Sequence, residues 1–103
     1  MVATATVTNR IDSGLTMLEG DVQALPELAE EWEQLDESAQ VTLSLEWDHA
    51  MADYLMELDE RYRGGQMTTT QQRRYRALLS KLKNARPIIA QLDLYLPPVA
   101  AGN

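Results

Sequence analysis

SAQVTLSLEWDHAMADYLMELDERYRGGQMTTTQQRRYRALLSKLKNAR, residues 38–86, is the stretch whose reading decides the fold. Its apolar residues Trp47, Met51, Tyr54, Leu55, Leu58 and Tyr62 recur three and four apart, which is the spacing of one helical face. Leu43 is in phase with them. Gly64-Gly65 then supplies the positive-φ geometry that stops a helix. Thr68 with Gln71, or Thr69 with Gln72, has the spacing of a capping box, in which side chain and backbone satisfy each other's end groups. A second stripe follows at Tyr75, Leu78, Leu79, Leu82 and Ala85. The reading is a long helix from about Ser38 to Arg63, a glycine turn and a returning helix. Val41-Thr42-Leu43-Ser44-Leu45 also alternates with period two, which fits a short strand against Ala3–Val7. The phase of Leu43 favours the helix, with Val41 and Leu45 on a second face.

Working outward, Thr8 or Asn9 can cap a first helix, and Asp12 sits early in it, near the positive end of the dipole. Ile11, Leu15, Leu18, Val22 and Leu25 form its narrow stripe. Pro26 interrupts, since a proline has no N–H to give and crowds the carbonyl four residues back. Leu28, Ala29, Trp32 and Leu35 continue the stripe in phase. Pro87 interrupts the return helix in the same way, and Ile88, Ile89, Leu92 and Leu96 continue beyond it. A kink and a break are both consistent with this phase at either proline. The expected fold is all-α, a small helical bundle built on a long antiparallel hairpin. Residues 1–8 are expected to be a flexible N-terminal arm, 9–96 a single helical domain and 97–103 a C-terminal tail.

Composition limits the function classes. A chain of 103 residues is one domain with a modest core. It has no cysteine, hence no disulfide framework and no thiolate chemistry. That fits a reducing cytoplasm. No apolar run approaches the roughly 20 residues that span a bilayer, so no membrane partner is expected. The net charge of -7 opposes nonspecific binding to phosphate backbones.

The charge is also segregated. Residues 12–60 hold 15 of the 16 acidic residues and no Lys or Arg, whereas 61–86 hold 8 of the 9 basic residues and no Asp or Glu. At helical pitch, Glu46, Asp53 and Glu57 flank one side of the long helix's stripe, and Asp48 and Asp59 the other. Arg74 and Lys81, then Arg76 and Lys83, flank the return helix. An antiparallel hairpin is expected to set these acidic and basic flanks side by side. Glu27, Glu30, Glu31, Glu33 and Glu37 are left over as an acidic face for a basic partner.

One constellation suggests a metal. Glu46 and His49 have the Glu-x-x-His spacing, with Asp53 on the same face. This four-residue pattern resembles the carboxylate–histidine pair of ferritin-like di-iron bundles. That family needs a second such pair and two further glutamates, and this chain has a single histidine. A divalent ion held weakly on the outer face that Glu46, His49 and Asp53 share is the metal expectation; no cofactor is expected. There is no nucleophile motif and no phosphate loop. The basic helix 73–86, with Tyr75 interleaved, has the look of a nucleic-acid helix, but Tyr75 is in phase with the leucines and reads as core. The favoured expectation is a non-catalytic interaction protein or adaptor. It would form a homodimer or engage a protein with a basic surface. Trp32, Trp47, Met51 and Tyr54 are the candidate seam.

Overall fold

The computed structural model describes the backbone of residues 2–100 and the side chains of residues 6–100. It is all-α, with no strand among the described residues. Helix α1 spans Val2–Gln23, α2 Leu25–Glu31, α3 Glu37–His49, α4 Met56–Arg63, α5 Thr69–Asn84 and α6 Arg86–Gln91. A π-helical segment, Ala50–Leu55, joins α3 to α4, so the chain stays helical from Glu37 to Arg63. Val41–Leu45 lies inside α3, and the strand alternative is excluded. The shape is elongated, 48 × 27 × 19 Å.

Both ends of the chain carry ordered backbone among the described residues. Helix α1 starts at Val2, so residues 2–8, expected as an N-terminal arm, have helical backbone. The reason is tertiary: Val7 packs on the core, and the buried Gln71 donates from Nε2 to the Thr8 carbonyl at 3.1 Å. At the other end, Pro97 and Ala100 are buried, so 97–100 belong to the packed domain; 101–103 lie outside the described residues. Asp93 makes this possible by adopting φ 55°. Leu94 N–H then reaches the Ile89 carbonyl at 2.9 Å and Asp93 N–H that of Ala90 at 3.1 Å, closing α6 as a Schellman motif. Leu94 drops into the core, and the Trp47 indole N–H donates to the Tyr95 carbonyl at 2.6 Å. The same closure ends α4, where Gly65 takes φ 72° and Gln66 N–H reaches Arg61 at 3.0 Å.

The two prolines act alike. Each ring would collide with the carbonyl four residues back, Val22 or Lys83. The chain turns two residues ahead of the ring, at Ala24 (φ -80°, ψ -11°) and at Ala85 (φ -88°, ψ 1°). The neighbouring helical bonds survive, with Ala24 N–H to Gly20 at 3.1 Å and Ile89 N–H to Ala85 at 3.0 Å. The helices are therefore kinked with little loss of hydrogen bonding, and the two elbows lie against each other, because α2 packs on α6.

The core is organised around α1. Its Ile11, Leu15, Leu18, Val22 and Leu25 stripe is buried throughout, against Leu78 and Leu82 of α5 and against Met51, Leu55 and Leu58. The hairpin is present in sequence, but α1 packs along both of its limbs and makes the larger contact with α5.

Candidate interaction surface

Charge pairing follows this packing. Arg74 of α5 reaches α1, not α4: its guanidinium donates to Glu19 at 2.8 Å and 3.2 Å and to Thr16 at 3.1 Å, with Asp12 at 3.6 Å. The hydrogen bond to Glu19 raises the Arg74 pKa further. Arg10 of α1 pairs with Glu57 at 2.9 Å. Arg63 pairs along its own helix with Asp59 at 2.8 Å. The expected pairing of acidic and basic flanks across the hairpin is thus corrected, because α1 supplies the acids that Arg74 meets.

Two polar residues are buried instead. Asp59 accepts from the Tyr75 hydroxyl at 2.8 Å, and the Tyr62 and Tyr75 rings lie 4.9 Å apart. Burial first, then the bond to Asp59, pushes the Tyr75 phenol up, so it stays a donor at any ordinary pH. Gln71 donates to Thr8 and to Asp12 Oδ1 at 2.8 Å, while its Oε1 receives Thr68 N–H at 3.0 Å. The capping box expected at Thr68 and Gln71 is present, and the same glutamine ties it to α1. Nothing in the sequence marks Asp59 or Gln71 as interior.

The metal constellation does not assemble. His49 Nδ1 and Asp53 Oδ2 meet at 2.7 Å on the exposed surface, and the Tyr54 ring edges onto the imidazole at 5.3 Å. Glu46 turns to the other side, near Asp21 and Leu43. No group of three or more ligand-type side chains among the described residues could hold a metal ion. Asp21 has a raised pKa, from burial first and from the negative charge of Glu46 second.

The candidate seam is also rearranged. Trp47 and Met51 are buried within the single chain, at 7% and 0% exposure. They cannot form a seam with another molecule. Trp32 is half-buried and Tyr54 partly exposed. The cause is the segment that closes over Trp47 through Tyr95.

The surface lies one limb away. Leu25 and Trp47 are buried, and no residue from 26 to 46 is. This limb comprises α2 beyond Leu25, the 3-10 turn Trp32–Gln34 and most of α3. The Asp36 side chain caps α3 by accepting Ala39 N–H at 2.7 Å, and Gln40 Nε2 donates to the Trp32 carbonyl at 2.7 Å. Those bonds fix the turn between the two helices. The limb's apolar side chains, however, stay half-buried at Leu28, Trp32, Leu35 and Leu43, and exposed at Val41 (51%) and Leu45 (63%). Glu27, Glu30, Glu31, Glu33 and Glu37 are all exposed on the same limb. Among the described residues none of these five makes an ion pair.

A cleft of about 530 Å³ opens beside the elbows, lined by Val22, Leu25, Pro26, Ala85 and Ile88, with Lys81 at its rim. A second, of about 340 Å³, lies between α1 and α4 over Ile11, Gly14, Met17, Tyr54 and Leu58. No helix among the described residues is long and apolar enough to cross a membrane. No protein-family model matches the chain, and no curated protein or solved structure matches it.

Proposed function

We propose that the chain is a non-catalytic protein–protein interaction module and that the limb of residues 26–46 is its contact element. One observation carries this: the limb holds six sizeable apolar side chains yet buries no residue. Leu28 and Trp32 pack on the core from the edge, whereas Val41 and Leu45 stand exposed, and apolar surface that its own chain leaves open is the usual mark of a contact. The exposed glutamates beside it supply an acidic rim, and an apolar centre with a polar rim is the anatomy of protein interfaces. The partner this chemistry fits offers apolar side chains bordered by Lys or Arg.

Site-specific photo-crosslinking tests the reading. A photoreactive residue at position 45, and a control at the exposed Asn9 of α1, would be carried in the full chain in extract of the source cells. The expected result is a discrete protein adduct from position 45 only, competed by wild-type chain and not by the V41K/L45K double variant. Equal labelling from both positions would overturn it.

A further inference from the structure

The chain carries its own complement to the acidic limb. Arg73, Arg76 and Lys83 fall on the outer face of α5 at helical pitch, and Lys81 and Arg86 border them. All five are exposed, and among the described residues none makes an ion pair. The elbow cleft opens next to them: Lys81 stands at its rim, over the apolar surface of Val22, Leu25 and Ile88. The chain thus has an acidic limb with Val41 and Leu45 exposed and a basic α5 surface beside an apolar cleft, whose lining also includes Glu19 and, where the limb begins, Pro26.

We infer that the occupant of the α5 basic face is the acidic limb of a second copy of this chain. The contact sets Glu27, Glu30, Glu31, Glu33 and Glu37 of one copy against the α5 cations of the other, with Val41 and Leu45 beside the elbow cleft. Charge complementarity selects the partner and its orientation, while the apolar residues supply burial. The two surfaces differ, so the contact is heterologous; it closes only if each copy gives its limb to the other, and otherwise propagates head to tail. The inference rests on the reading of the limb as a contact element and adds the identity of its partner.

A charge swap tests it in the full-length chain by sedimentation at low and high salt. One variant reverses the limb, E30K/E31K/E33K; the other reverses the helix face, R73E/R76E/K83E. Circular dichroism checks that both fold, and the single changes E31K and R76E repeat the design with less perturbation. The wild type is expected to self-associate, more weakly as salt screens the charges. Each variant alone sets like charges together and should associate at least roughly tenfold more weakly, whereas an equimolar mixture should recover to within about threefold of wild type. Wild-type-like association of R73E/R76E/K83E, alongside its loss in V41K/L45K, would mean limb-to-limb pairing; the inference would fall and the limb reading would stand. A mixture that fails to recover overturns the inference. A wild type that is monomeric at low salt overturns it too, including the case in which α5 captures a nucleic-acid probe instead; the crosslinking experiment then judges the limb separately.

Discussion

Two parts of the molecule are built from similar stripes and end up in opposite states. In α1 the stripe Ile11, Leu15, Leu18 and Val22, with Leu25 just beyond it, is buried, because α5 covers one side and the π segment with α4 covers the other. In residues 26–46 Leu28 and Trp32 reach the edge of the core without being enclosed, and Val41 and Leu45 are left exposed. Amphipathic periodicity therefore says that a helix wants a neighbour, not that the neighbour is in the same chain.

The contrast can be broken at several points. The largest effect is expected for Leu18→Ala, which empties a fully buried site between α1 and its neighbours; a loss of about 2–5 kcal/mol should appear in chemical denaturation. Tyr75→Phe comes next. It leaves the Asp59 carboxylate buried without its hydroxyl donor, with Arg63 remaining, and should cost about 1–3 kcal/mol in the same measurement.

Asp21→Asn sharpens the boundary between the two regions, since Asp21 on α1 faces Glu46 on the limb. A raised acid pKa means that the folded state binds the proton more tightly than the unfolded chain does, so the ionised form opposes folding. Asn should therefore raise Tm at pH 7. The gain should shrink as the acidic group protonates and vanish below its ordinary value of 3.8. The smallest effect belongs to Leu45→Ala in the limb, expected to change monomer stability by no more than about 0.5 kcal/mol. A cost like that of Leu18→Ala would show that the limb has a core of its own and would end the comparison.

How much of this was legible depends on where each signal resides. Helix stops are local: Gly64-Gly65, the Thr68–Gln71 box and the two prolines are written in adjacent residues, and all are found. The choice of kink over break needed the paired elbows, which no single stripe encodes. Arg74's acid partner depended on which helix lies across it, and an α1 with its own acidic edge at Asp12 and Glu19 won over α4. Asp59 looked like one more surface acid because a buried carboxylate is recognised only with its donor, 16 residues away. Asp93 hid the fold-back of the last residues, since a left-handed aspartate has no sequence mark as strong as glycine's. The limb misled for the opposite reason: Val41 and Leu45 carry the pattern of a second core face that the chain does not complete.

The π segment has a consequence for length. Bonding from i to i+5 accommodates about one residue more than α pitch can use. Each residue of an α-helix advances about 100° around the axis. Ala50–Leu55 thus acts as a phase setter between α3 and α4. Forcing the segment to α pitch with all its residues kept would swing Val41 and Leu45 about 100° around the rod axis relative to α4, whereas deleting one residue there would let the rod become wholly α-helical with the two helices still in phase. In this chain the direction in which the acidic limb faces is held by the extra residue staying inside the π turn, and the bonding pattern there, more than the residue count, aims it.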